Sequence, residues 1–466
     1  MSIRQLRQRM TRDESGMGMI EIIVALMIFS IVALGMGVSL ITMTRLTGDA
    51  SARETATNLA AAEIDRVAAI PDAFNVHDAL TPKQVVVDGI TYQIQTRTGW
   101  VSANGSTGNC GIGAAGGQLQ YKRVNVTVTW TNMFLQTPVR ADSALAPSTR
   151  LNDPTAGTIL VSVTKENGEG QQGIAVSAAK TSGGAGITDT INPTDVDGCA
   201  YALRVPPGTY NLKTTKSGYI DTNQQLLPVT QSIVVTAGAA TPVSLQQDKA
   251  HTYTLDYADN STADVDLPTN LDVTYFGQSA AAPLTESAPS VRPLYPWSAG
   301  YQAVAGNPST CEAVDPEKWT ETSTGAAGLR PFKVPGVAGG SGDLPIVMGV
   351  ADVKIPGSGG SWYYLTATAQ SSTTDGNPGC ASAATTIYKF TRYRGGNTAT
   401  IALPYGVWSL TVGSSAGSTT TQVTSNVTVR DSVVTLDGSG HPLTSGGVGN
   451  STFSSNLLTF DPRVKL

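Results

Sequence analysis

From Ile22 to Thr44 the chain runs without a charge, between Glu21 and Arg45. At about 1.5 Å per helical residue this run spans the roughly 30 Å hydrocarbon core of a bilayer. It exceeds the roughly 7–15 apolar residues of a secretory signal. Beyond Arg45 small or apolar residues recur at near-helical spacing (Ala52, Ala56, Leu59, Ala60, Ile64 and Val67) with charges between them. Pro71 ends that pattern. The spacing predicts one helix over about 17–70, apolar in its first half and amphipathic in its second, about 80 Å long.

After the helix the period drops to two. The stretch KQVVVDGITYQIQTRTGWVSA reads as a hairpin turning at Asp88-Gly89, and Val124 to Trp130 alternate as a half-buried strand does. Between them, CGIGAAGG holds a Gly-x-Gly-x-x-Gly spacing (Gly111, Gly113, Gly116). No strand leads in and no helix with an acidic partner follows, so it reads as a loop and not a nucleotide site. Residues 133–157 are polar and contain prolines, as a linker does. From Thr158 short strands alternate with turns. In CAYALRVPPGTYNL, Pro206, Pro207 and Gly208 turn the chain, and Tyr210 and Leu212 then point inward. Residues 376–413 read as a divergent second copy: Gly198-Cys199-Ala200 matches Gly379-Cys380-Ala381, and LRVPPGTYNL matches LPYGVWSL. The DVDG stretch at 195–198 has Pro206 where a calcium loop needs its twelfth-position Glu, and reads as a plain β-turn.

Composition narrows the function classes. The 466 residues suffice for about three domains. With 14% charged residues, 6% aromatics and 49 glycines, they suit β-sandwich modules. Net charge is −5, and the segment before Met17 sets Arg4, Arg7, Arg9 and Arg12 against Asp13 and Glu14, so the remainder is near −7. No basic stripe interleaved with aromatics occurs, so no nucleic-acid partner is expected. The arginines place the amino terminus on the cytoplasmic side and the rest outside. The histidines (His77, His251, His441) are far apart and no Cys-x-x-Cys pair exists, so neither a zinc site nor any other cofactor is expected. No His-Glu-x-x-His motif is present and most acidic residues sit in turn-rich stretches, which argues against an enzyme. Cys110, Cys199, Cys311 and Cys380 fit an exported protein with disulfides. Cys311 is expected to pair with Cys380, leaving Cys110 and Cys199 to tie neighbouring modules. Each bond would close a loop of about 70–90 residues, worth roughly 4 kcal/mol in the chain-entropy model.

Glu21 is the residue a plain anchor does not explain, because a carboxylate in an apolar helix is unfavourable by up to ~3 kcal/mol at the bilayer centre. With Gly16-Met17-Gly18-Met19-Ile20 before it, the segment resembles the signal of type IV prepilins: a basic leader ending in Gly, then an apolar helix with Glu at its fifth position. The resemblance implies cleavage between Gly16 and Met17 by prepilin peptidase and methylation of the new amino terminus at Met17. It also implies pairing of Glu21 with an α-ammonium in the filament. Met17 and Gly18 depart from the bulky apolar residue and Thr or Ser usual in that family. Gly35, Gly37 and Gly48 would serve bending or melting on extraction from the membrane, or close helix packing. The family's head architecture is this helix laid on a small antiparallel sheet.

The distal stretch 194–221 resembles carboxypeptidase-regulatory-like and Cna-B-like β-sandwiches. Lys165 lies late in its strand and ATPVSL lacks an Asn, so the Lys–Asn isopeptide bond known in Cna-B-like modules is not expected. The expected fold is α+β: a long amino-terminal helix on a small antiparallel sheet, then mainly-β sandwich modules. The boundaries are leader 1–16, pilin domain 17–140 (helix 17–70, β head 83–134), module one 155–248, module two 250–440, and a tail or strand 441–466. The expected function is a non-catalytic minor pilin, at the tip. Its partners would be the membrane, prepilin peptidase, other pilin subunits and the assembly platform. The alternatives are a pilus-borne adhesin and a pseudopilin of a type II-like secretion system. Trp297, Trp319 and the run Trp362-Tyr363-Tyr364 are candidates for stacking a glycan or for core packing, Trp408 is expected in the core, and the run Trp362-Tyr363-Tyr364 is the candidate ligand surface.

Overall fold

The computed structural model describes residues 18–466 except 79–80, 104, 106, 115–118, 135, 148–152, 183–185, 189, 278–282, 372–374, 382–384 and 444–446. The chain forms one long amino-terminal helix followed by β-sheets whose pairings are almost all antiparallel. It divides into two compact units. The first takes in Met1–Leu160, Leu203–Pro207 and Val235–Pro242; the second takes in Val161–Ala202, Gly208–Val234 and Val243–Leu466.

In the first unit, helix α1 (Met19–Ala68) is unbroken for 50 residues, with Gly35, Gly37 and Gly48 inside it. Its second half buries Ala52, Ala56, Ala60 and Val67, with Leu59 and Ile64 partly covered, which is the face the spacing predicted. Small side chains on that face let the helix lie close on the sheet. The sheet has the order β1 (Lys83–Val87), β2 (Ile90–Ser102), β4 (Leu119–Trp130), β5 (Val139–Leu145), with β3 (Thr107–Gly108) also on β2. Tyr92, Ile94, Val124, Val126, Val128 and Trp130 form its inner face. The β1–β2 turn is Asp88-Gly89, with Val87 opposite Ile90 and φ of 50° and 77° at the two turn residues. Positive φ at both positions is the requirement of a two-residue hairpin turn matched to strand twist.

Part of the expected linker is a strand. β5 pairs with β4 from Lys122–Leu145 to Val128–Val139, extending the sheet beyond the residue 134 boundary read from sequence. Its residues alternate half-buried and exposed, as on a sheet covered on one face, and as an edge strand it pairs on one side alone.

Strands between 157 and 249 form two sheets. One has the order Tyr219–Asp221, Ala240–Lys249, Gly157–Thr164, Cys199–Val205; the other has the order Val229–Val235, Gly208–Thr215, Ala175–Ser182. Residues 155–248 are not set apart as a unit of their own. The turn at Pro206-Pro207-Gly208 carries the chain from the first of these sheets to the second, and the strand after it buries Tyr210 and Leu212 as its period dictates. A later turn between sheets repeats it: Gly208 and Gly406 have φ of 147° and 135°, and Trp408 and Leu410 are buried where Tyr210 and Leu212 are. Both glycines adopt a backbone region disfavoured for side chains. The cysteine match is weaker, because Cys199 opens a strand and Cys380 lies outside any.

Beyond residue 250 the described residues form a large hydrophobic core that runs from Tyr253 to Phe460. Four sheets line it. His251–Tyr257 lies between Val291–Leu294, antiparallel, and Ser341–Ile346, parallel. Asp272–Phe276 lies between Leu284–Ser287 and Gln302–Ala305. Gly349–Lys354 is flanked by Thr398–Leu403 and Val427–Asp431. The largest has the order Ile387–Arg394, Trp362–Ala369, Gly406–Gly413, Leu457–Phe460, Thr452–Ser454. Leu458 and Phe460, in the stretch 441–466 set apart from sequence as a tail or strand, therefore belong to this core. Leu457–Phe460 is an interior strand of the largest sheet, and Phe460 is fully buried.

Candidate assembly helix and distal surfaces

The first half of α1 packs on none of the other described residues. Every large apolar side chain from Met19 to Leu46 is exposed, and the segment is long and apolar enough to cross a membrane. Its polar side chains are turned back on the helix. Ser30 Oγ donates to the Leu26 carbonyl at 2.7 Å, Thr42 to Val38 at 2.8 Å and Thr47 to Met43 at 2.9 Å. Thr44 donates to Leu40 and Ile41. Hydroxyls satisfied in this way can enter hydrocarbon or a dry helix bundle at little cost.

Glu21 is different. It sits in the first turn of α1, and Oε2 accepts the Gly18 N–H at 3.2 Å. That contact caps the helix and suits the positive end of its dipole. Within this chain's described residues no cation pairs with it. Gly16 and Met17, the expected processing positions, lie outside the described residues.

The second half of α1 is pinned to the head by charges that periodicity does not reveal. Asp49, nearly buried, accepts the Phe134 N–H at 3.1 Å. Arg53 donates to the Thr137 carbonyl at 2.8 Å and lies over the Trp130 ring. Glu63 is bound by Arg66 at 2.6 Å and faces Lys83 of β1 at 3.6 Å and the Thr96 hydroxyl of β2 at 3.4 Å. Burial opposes its charge, but the Arg66 and Lys83 cations outweigh that and hold its carboxyl below the ordinary value. The Glu63–Arg66 spacing of three was visible as a helical pair; the sheet partners depend on long-range register.

In the second unit Cys311 and Cys380 are joined by a disulfide. Cys110 and Cys199 are disulfide-bonded as well, and none of the four cysteines is free. The turn at 195–198 is a local one: Asp195 Oδ1 accepts the N–H groups of Asp197 and Cys199 at 3.0 and 2.8 Å. Gly111 and Gly113 lie in the kinked segment Asn109–Ala114, where Cys110 and Gly111 have φ of 57° and 73°, and Gly116 lies outside the described residues.

The tryptophans separate by environment. Trp319 and Trp408 are core residues, their indole N–H groups donating to the carbonyls of Ala313 and Pro404. Trp362, Tyr363 and Tyr364 open strand Trp362–Ala369. Trp362 is opposite Arg394 and Tyr364 opposite Arg392, so these four share one face, while Tyr363 packs partly on the core. Trp362 is 41% exposed, but the guanidinium groups of Arg394 and Arg392 lie 4.6 and 4.8 Å from its ring. A ring already engaged by two cations is a poorer sugar platform than a free one. Sequence could not show this, because it arises from cross-strand register.

No family model matches the chain, and no curated protein does. Among solved structures it is similar to the Bacillus anthracis TIE protein at 13% identity, covering 76% of this chain and 72% of that one, with a TM-score of 0.19. It is similar to the Streptococcal ancillary pilin at 10% identity, covering 48% and 75%, with a TM-score of 0.19. It is also similar to BcpA, the major pilin subunit of Bacillus cereus, at 10% identity, covering 66% and 95%, with a TM-score of 0.18.

Proposed function

We propose that the chain is a non-catalytic structural subunit of a type IV pilus, a minor pilin placed at the tip. The observation that carries the reading is the helix that leaves Met19 to Leu46 uncovered with one carboxylate, Glu21, in its first turn. Such a surface needs a bilayer or a bundle of like helices, and such a carboxylate needs a cation supplied by another amino terminus. Prepilin peptidase would cut between Gly16 and Met17 on the cytoplasmic face, leaving an N-methylated Met17 and a single-pass subunit whose head and distal strands lie outside. Assembly would draw α1 into the filament core, where Glu21 meets an α-ammonium. The strand-rich mass beyond residue 157 would crowd a close-packed shaft and is accommodated at a tip, which favours the minor pilin over a repeating subunit. The test is mass spectrometry of the amino-terminal peptide of protein purified from its own cells. N-methylated Met17 is expected; an intact Met1, or a first residue beyond 46, would sink the reading.

A further inference from the structure

We propose that the second unit carries a binding pocket for a neutral sugar, walled by Phe276, Trp297 and Tyr301 and rimmed by Thr222, Asn223 and Gln224. This goes beyond the pilus reading and concerns the second unit alone. The cavity measures about 460 Å³, within the roughly 300–1,000 Å³ of small-molecule sites. None of the described side chains lining it carries a formal charge. The guanidinium of Arg330, 3.7 Å from the Phe276 ring, is already bound to Asp315 and Glu317. An ionic ligand therefore finds no counter-charge in the wall.

What the wall offers is aromatic faces beside amides and hydroxyls. Ring faces carry the negative end of the aromatic quadrupole and suit the C–H side of a pyranose; amides and hydroxyls, donors and acceptors at once, suit its hydroxyls. The polar side is rigid. Asp221 Oδ1 accepts the N–H groups of Asn223 and Gln225 at 2.9 and 2.8 Å, which fixes the turn and holds Gln224 at a φ of 63°. The Gln224 amide donates to Tyr301 Oη at 2.9 Å, and its oxygen accepts the Tyr295 N–H at 2.8 Å. Tyr301 Oη in turn donates to the Tyr295 carbonyl at 2.9 Å. A wall whose groups are already locked binds without first losing side-chain entropy. The Trp297 indole N–H is buried and has no hydrogen-bond partner among the described residues.

The experiment is saturation-transfer NMR on the full chain in detergent micelles. The probes are the methyl glycosides of glucose, galactose and N-acetylglucosamine, with N-acetyltyrosinamide as the peptide-like probe. Saturable transfer is expected from at least one glycoside, weakened at least tenfold by Asn223→Trp and by Trp297→Ala and kept by Trp362→Ala. Asn223 is exposed and its turn is held through its backbone N–H, so the bulky replacement blocks the mouth without disturbing the core; an unchanged melting temperature verifies this. The proposal is overturned if no glycoside gives transfer, if transfer survives Asn223→Trp, if only the tyrosinamide binds, or if Trp362→Ala alone removes the signal.

Discussion

Arg463 and Asp461 form a buried ion pair, Nη2 to Oδ2 at 2.7 Å, that fastens residues 461–463 to two distant loops. Arg463 Nη1 donates to the Thr320 carbonyl at 2.9 Å, Nη2 to the Asp375 carbonyl at 3.0 Å, and the guanidinium lies over Trp319. Every donor is directed by one of these partners, so the pair has little freedom to rearrange.

Removing one member of such a pair leaves an uncompensated buried charge, which typically costs about 3–5 kcal/mol. Arg463→Met should therefore destabilise the second unit by that amount in urea unfolding. The double variant Arg463→Met with Asp461→Leu should recover more than half of it. A single variant within about 1 kcal/mol of wild type would show that solvent reaches the site.

Close packing makes a second prediction, at the strand Gly349–Lys354. A Cβ at Gly349 would lie 2.1 Å from Cγ of Phe460. Gly349→Ala must displace that ring or the strand carrying it, and overpacking of this kind costs about 1–3 kcal/mol. The loss should appear together with protease sensitivity between 440 and 466. Unchanged stability and an intact carboxy-terminal segment would mean that Phe460 has room to turn.

Glu63 links the stem to pH. Its carboxyl titrates below the ordinary value of 4.5 because Arg66 and Lys83 outweigh the effect of burial. A depressed folded value means the stabilisation is fully present above the ordinary value and is lost as pH falls through the lowered one. Glu63→Gln should cost about 2 kcal/mol at neutral pH. Urea titrations of wild type and variant from neutral pH down to about pH 3 should converge on acidification. A constant gap across that range would place the effect in shape and not in charge.

Glu21 bears on assembly and not on the fold. Glu21→Ala removes a cap at the exposed end of α1 and touches none of the head. Membrane-inserted protein with an unchanged melting temperature is expected, together with at least a tenfold loss from sheared filaments on immunoblots. Normal incorporation would show that another group, or none, answers the amino terminus.

The parts of this fold that were legible in the sequence are those settled within a few residues. Ala52, Ala56, Ala60 and Val67 declare the buried face of α1 because a helix returns each to the same side. Asp88-Gly89 and Pro206-Pro207-Gly208 declare their turns through the dihedrals those residues permit. Glu21 stood out because it breaks an apolar run. What escaped was long-range pairing. The parallel ladder of 251–257 with 341–346, the interior position of 457–460 and the guanidiniums around Trp362 all follow from registers set between distant parts of the chain. Strand Val139–Leu145 escaped for the opposite reason: an edge position asks too little of its sequence to leave a mark. The pocket beside Trp297 depends on the turn around Asn223, far upstream, so no local motif announces it.

The core that begins at Tyr253 closes only with Phe460. A chain delivered amino terminus first across a membrane cannot shelter that apolar surface until Phe460 has followed Tyr253 through the channel. Until then strand His251–Tyr257 waits for Ser341–Ile346, and the largest sheet lacks an interior member. On the proposed export route the order of emergence leaves this core unclosed until residue 460 has passed. It also fixes the moment of risk: a translocation stalled before residue 457 would hold open strand edges at the membrane surface, the condition under which β-rich chains aggregate.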